Sequence, residues 1–354
     1  MIKKAWILVW LLLLADISSA LAQETGTTGK GPQSPGQDQL INKLDDMQKK
    51  IDQLEAESKA RKKLQITDVE KQEKEKEVLT AAGKEYSLQN KGTLELEYSL
   101  AFDYSSRDQV KEALSIERMY DYTLTHTISS SYGILDNLTF NNSLPFVYRY
   151  NKVDTNDELD ETDIGDISVT FQFEPVKKPA GGYSVILIAG ASLPTGRSPY
   201  KIDPKNELST GNGTYAYSAG VNVSQPIDPL VVFGGANYSY TPKVTGLNTP
   251  FGDKILQSVT PGDKISIGLG FGYALSYIVS FSQQVTMSYA KGSEYDFKQG
   301  VSSVKNASYM SASYIIGVGW RLSTKTTLFT NLVLGLTGGS DFSFSLRVPF
   351  SFVL

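Results

Sequence analysis

The sequence predicts an all-β membrane protein: a 12-stranded antiparallel outer-membrane β-barrel, preceded by a periplasmic coiled coil and a plug-like helix. Three observations point there. From Thr93 to the end, large apolar residues recur at every second position over twelve segments, with polar and charged residues between them. The connections between those segments are alternately short and long, as on the two rims of such a barrel. The chain also opens on a secretion signal, and no later apolar run is long enough for a spanning helix.

The opening "MIKK" is basic, "AWILVWLLLLA" is apolar and "SSALA" offers small residues for cleavage, so residues 1–22 read as a signal peptide. An uncleaved anchor is the alternative, and the apolar run is short for it. Residues 23–37 are rich in Gly, Pro, Ser and Thr and read as a flexible leader. Residues 38–57 carry Leu40, Leu44, Met47, Ile51 and Leu54 at spacings of 4, 3, 4 and 3, a heptad seam. Such a seam buries its apolar side only against another helix, which predicts a homo-oligomer. Heptad rules leave two strands or three open, as does the option of an amphipathic helix lying on its own domain. Residues 58–92 form a charged helix containing "KARKK" and "EKQEKEKE", ended by Gly83 and "SLQNKG". Its apolar content is too thin for a core. It suits a solvated stalk, or a plug in a wet cavity.

The barrel occupies residues 93–354. Its segments lie near 93–104, 116–130, 137–150, 164–174, 182–193, 213–225, 230–241, 263–275, 277–290, 306–320, 326–337 and 342–354. In the first, Leu94, Leu96, Tyr98, Leu100, Phe102 and Tyr104 share one face, while Glu95, Glu97 and Asp103 share the other. A strand buried on both faces would not carry three carboxylates. The segments at 230–241 and 263–275 are Gly-rich and alternate less cleanly. Longer polar connections are expected at 105–115, 151–163, 194–212, 242–262 and 291–305, on the rim opposite the termini. Tyr104, Tyr148, Tyr150, Tyr240, Tyr289 and Trp320 fit interfacial girdles. A soluble sandwich or jelly roll shares the alternation but not the secretion signal or the asymmetric loops.

With the aromatic face turned to lipid, the lumen receives Glu95, Glu97, Asp103, Glu117, Asp121, Arg149, Asp166, Lys264 and Arg347. The last strand pairs with the first in a closed barrel, which brings Arg347 toward Glu95 or Glu97. These charges neutralise one another, or they hold the mixed-charge helix as a plug. The terminus "DFSFSLRVPFSFVL" places Val348, Phe350, Phe352 and Leu354 on the lipid side, as in a signal for the barrel-assembly machinery.

Several functions are excluded or disfavoured. A net charge of −4 gives no basic surplus for nucleic acid. There is no Cys, and His126 is the one His, so no thiolate or multi-His metal site and no His-based triad of ordinary form is expected. No G-x-S-x-G follows a strand, and the reading is of a non-enzyme without cofactor. The acids Asp154, Asp157, Glu158, Asp160, Glu161 and Asp163 lack EF-hand order and read as a solvated loop.

The segments "DIGDISVTFQF" (163–173), "GASLPTGRSPY" (190–200) and "GNGTYAYSAGVNVSQPI" (211–227) resemble the outer-membrane β-barrel family of phenol-degradation meta-pathway transporters. That resemblance implies a channel. The order of signal, leader, coiled coil, charged helix and barrel also resembles the functional-amyloid secretion channel of pseudomonads. This second resemblance implies a trimer whose helix gates each barrel and which exports unfolded amyloid-type subunits. Uptake of small hydrophobic or aromatic compounds is the alternative function, and a barrel-embedded enzyme a third. All place the barrel in the outer-membrane lipid with its N-terminal region in the periplasm.

Overall fold

A computed structural model describes residues 48–51 and 68–353, apart from 113–114, 154–156, 177, 179–181, 204–205, 228, 252–253, 277, 299–302 and 324–325. The chain divides into two units, residues 1–66 and 67–354. In the first, residues 48–51 are helical and Ile51 is exposed. Leu40, Leu44, Met47 and Leu54 of the expected seam lie outside the described residues, as do the signal and leader segments.

The second unit begins with α1 (Asp68–Ala82) and a single 3-10 turn (Lys84–Tyr86). The wall strands follow: β1 (Thr93–Glu112), β2 (Ser115–Leu135), β3 (Leu138–Val153), β4 (Asp157–Ile164), β5 (Ile167–Phe173), β6 (Ser184–Leu193), β7 (Ala216–Ile227) and β8 (Leu230–Tyr240). After β9 (Thr249–Phe251) and β10 (Lys254–Thr260) come β11 (Lys264–Ala274), β12 (Val279–Ala290), β13 (Glu294–Phe297), β14 (Val304–Lys305), β15 (Tyr309–Arg321), β16 (Thr327–Thr337) and β17 (Phe342–Val353).

The wall is closed. β1 pairs antiparallel with β17 from Thr93↔Val353 to Tyr104↔Phe342, and the ladder then runs neighbour to neighbour round to the β2–β3 pair. β4 pairs with the far half of β3 and β5 with its near half, so these two strands share one wall position. That gives twelve wall positions, each at a segment read from the alternation. Closure pairs the wall strands on both sides, which is what lets strands cross a bilayer, and β4, paired only with β3 among the described residues, keeps one free edge. Among the described residues no helix is long and apolar enough to cross one.

The faces separate as the period of two requires. Leu96, Tyr98, Phe102, Phe146, Tyr148, Ile267, Leu269, Phe271, Phe350 and Phe352 are exposed on the outside. Glu95, Glu97, Asp121, Gln172, Asn222 and Gln284 are buried on the inside. Toward the long-loop rim, Tyr104, Tyr122 and Tyr150 stack outward across three strands at 5.2 and 5.8 Å between ring centroids. His126 also faces outward, where the Tyr98 hydroxyl meets its Nδ1 at 2.7 Å. Phe352 stands opposite Leu94 on the outer face, whereas Ser351 turns inward, with its Oγ 3.4 Å from Glu95 Oε2. Phe352→Asp puts a carboxylate on the lipid side at a cost of about 1 kcal/mol or more. The heat-modifiable folded fraction recovered from outer membranes is expected to fall roughly fivefold. Ser351→Asp, in the wet interior, should leave most of it. Equal losses for the two variants would contradict the assignment of faces.

Three loop expectations are corrected. Residues 105–112 continue β1 against β2 as a paired hairpin above the girdle. The connection expected at 151–163 is largely strand, the end of β3 and β4, with Lys152 bonded to Glu158 across the pair. The connections 242–262 and 291–305 build a second, four-stranded sheet in the order β14-β13-β10-β9. Its small core is Leu247, Leu256 and Val259, with Tyr200, Tyr295 and Phe297 packed around it.

Candidate functional site

The lumen holds two constructions, one toward each rim. Toward the short-turn rim, α1 lies against the inner wall and the chain doubles back. The helix enters beside the turns, where Glu75 bonds Lys178 and Glu77 bonds Arg321 (2.6 Å). It rises to Gly83, and residues 87–92 descend to β1, where Gln89 N donates to Thr139 Oγ1 at 2.9 Å. The expected helix over 58–92 is therefore helical over 68–82 among its described residues. The Leu-poor sequence "SLQNKG" has no apolar stripe to continue it.

The wall is shaped for this helix. Val78, Leu79 and Tyr86 form one buried cluster with Val231 and Phe233, and Ala82 and Ala274 pack on it. Each large member withdraws apolar surface worth about 1.5–3 kcal/mol. Where α1 comes closest, the wall is glycine. A Cβ on Gly272 would fall 2.7 Å from Val78 Cγ1, and one on Gly317 would fall 2.6 Å from the Ala81 carbonyl. At these two positions the inner face gives way to the helix, whereas Gly234, Gly235, Gly268 and Gly270 lie against other parts of the wall.

The end of the helix is capped by the barrel. The last carbonyls of any helix lack intrahelical partners and carry the negative end of its dipole. Here Arg347 Nη2 donates to Thr80 O at 2.8 Å, and Asn331, with its amide nitrogen toward the helix, donates to Ala81 O at 3.2 Å. Gln172 Nε2 reaches Lys84 O at 3.2 Å and Asn222 Nδ2 reaches Glu85 O at 2.9 Å. Gln284 Nε2 donates to the Tyr86 hydroxyl at 3.1 Å. The Lys84 ammonium lies 3.3 Å from Glu95 and 3.2 Å from Glu97, and Arg347 Nη1 lies 3.9 Å from Glu97. Contacts thus come from β16 and β17 to the end of the helix and from β1, β5, β7 and β12 to the 3-10 turn. Burial pushes the Lys76 ammonium down, partly offset by Glu95.

Toward the long-loop rim lies a cavity of about 710 Å³. The segment 194–212 folds inward to form much of its lining, and Asp166 is its anchor. One carboxylate oxygen accepts Gly196 N at 3.0 Å and the other accepts Asn212 N at 2.6 Å. A Cβ on Gly211 would overlap Asp166 Oδ1, so the loop closes only with glycine there. Thr195 Oγ1 donates to Gly165 O and Thr210 Oγ1 to Ile164 O, both at 2.8 Å, which seals the step between β4 and β5. Arg149 makes a bidentate pair with Asp121 (3.1 and 2.7 Å) and also donates to Ser209 O at 3.2 Å.

The sequence-expected lumen charges therefore fall into two groups. Glu95, Glu97 and Arg347 meet the helix, while Asp121, Arg149 and Asp166 build the cavity end. Asp103 is half-buried on the inner face and Lys264 is exposed at the start of β11. The Glu117 side chain lies outside the described residues. Sequence reading missed the four amides, Gln172, Asn222, Gln284 and Asn331. For Gln172, Asn222 and Gln284 the signal is an amide on an inner face otherwise made of Ser, Thr and Gly, whereas Asn331 shares its face with Phe329 and Val333. No cluster that would hold a metal is present among the described residues.

A family model described as "Putative MetA-pathway of phenol degradation" matches residues 114–241. That stretch contains every residue of the Asp166 anchor and none of the helix. The fold is similar to the crystal structure of an outer membrane channel from Pseudomonas putida F1 (TM-score 0.55, 12% identity, 76% of this chain and 98% of that one). More distant likeness extends to the translocator domain of autotransporter NalP from Neisseria meningitidis (TM-score 0.44, 10% identity, 78% and 93%). The CymD monoaromatic hydrocarbon channel is at a similar distance (TM-score 0.37, 11% identity, 79% and 93%).

Proposed function

We propose that this chain is an outer-membrane channel for small organic molecules, aromatic compounds among them, and that residues 68–92 are its resident plug. The carrying observation is a closed, polar-lined barrel whose lumen holds a helix end bonded to two wall strands and, following it, a turn bonded to four more. Each bond is of the order of 1 kcal/mol or less net, so the set holds firmly yet can release stepwise. The family match supports small-molecule uptake over export of unfolded amyloid-type subunits, although both would use the same barrel and helix. Purified full-length protein in planar bilayers should show small, flickering conductance as the plug exchanges between seated and displaced states. A bilayer that stays silent at all voltages, with correctly folded protein inserted, would refute the channel.

A further inference from the structure

We propose that the cavity at the long-loop end is a binding site for small, neutral solutes that carry several hydroxyl groups, an inference that rests on the channel reading above. The lining decides the class. Its charges are already matched. Arg149 is held by Asp121, Asp166 accepts two backbone N–H groups, and Lys291 lies 3.5 Å from Asp263. An ion entering the cavity meets little uncompensated charge to draw it in. The hydroxyls are different. Thr123 and Thr125 face the cavity from β2, Ser192 from β6 and Thr241 from just beyond β8. None of the four makes a side-chain hydrogen bond to another described residue. Each offers one donor and two acceptor lone pairs.

A hydrocarbon filling this space would strand those groups without partners, and sites built to bond a hydroxyl discriminate strongly against analogues that lack it. A hydroxylated solute satisfies them. Pro145, Pro199 and Tyr200 supply flat apolar surface beside the hydroxyls, suited to a ring face or to C–H groups. The volume has ample room for a molecule of one or two rings. An aromatic diol and a small saccharide both carry this chemistry.

The two sources are separated by calorimetric titration of the full-length, detergent-solubilised protein with catechol and with maltose. Toluene serves as the hydroxyl-free comparison and gluconate as the charged one. Saturable heat is expected from catechol, maltose or both, and it should exceed that from either comparison compound. Thr123→Val with Thr125→Val should weaken the binding roughly tenfold, since each lost bond is of the order of 1 kcal/mol. The matching Thr→Ser pair keeps the hydroxyls and should stay within about twofold of the parent. The proposal is overturned if neither hydroxylated probe gives saturable heat. It is equally overturned if toluene or gluconate binds more tightly, or if the Val and Ser pairs behave alike. A protein that titrates as expected but never conducts retains the site and loses the channel. One that conducts but does not titrate loses the site alone.

Discussion

A chain lacking residues 68–86 should conduct severalfold more than the full-length protein in planar bilayers, with long, quiet openings in place of flicker. The deleted stretch contributes the helix, the 3-10 turn and every carbonyl that the wall amides and Arg347 grip. The point variant Gly317→Leu asks the same question without a deletion. A Cβ alone would overlap Ser282 Oγ and fall 2.6 Å from the Ala81 carbonyl, so a wall hydroxyl as well as the helix must give way. Overpacking of this kind costs about 1–3 kcal/mol. Charged to docking alone, that shifts the seated-to-displaced ratio roughly 5- to 150-fold. The plug's share of the effect is the part that vanishes in the deletion background, where Gly317→Leu should not raise conductance further and any fall in heat stability reports the contact with Ser282. Unchanged conductance in both the deletion and the point variant would remove the plug from the mechanism.

The parts of this fold that were legible in the sequence are those in which one residue's neighbours are set by the period of two. Leu96, Tyr98 and Phe102 announce a lipid face, and Glu95 and Glu97 a wet one, because a strand between two such media has no other arrangement. β4 was not legible, because "DELDETDI" has no apolar face and pairs only because β3 extends beside it. The outer sheet was hidden for another reason. Leu247, Leu256 and Val259 come from one connection and Tyr295 and Phe297 from another, and no local pattern brings those together. The plug contacts were half visible. The charges of residues 58–92 suggested a polar resting place, but the grip is mostly on backbone carbonyls, which every sequence has. What could have been read is the wall: at 272 and 317 glycines stand where side chains were expected, and the helix takes that space. The oligomer seam lies mostly outside the described residues, and its reading rests on the heptad spacing alone.

The largest effect of a single wall substitution at the other end is expected from Asp166→Ala. Its carboxylate joins the two ends of the inward segment by accepting Gly196 N and Asn212 N, at 3.0 and 2.6 Å. Hydrogen bonds to a charged acceptor contribute more than neutral ones, and their loss leaves two backbone donors unpaired. The segment is half-exposed, so a destabilisation of about 2–4 kcal/mol is expected for the loop rather than for the barrel. The readout follows from the residues it carries. Arg197 is held by Glu161 and Glu207, and Lys201 follows four residues later, so trypsin added to intact outer membranes should cut the variant here and spare the parent. Asp166→Asn keeps one acceptor and should fall between the two. If the variant resists trypsin like the parent, Asp166 is not the anchor. The order of effects also explains the make-up of the recognisable motifs. "DIGD", "LPTGR" and "GNG" lie apart in the sequence, yet they supply the carboxylate, the donor turn and the glycine that must sit against it. Their small residues are required by contact with Asp166.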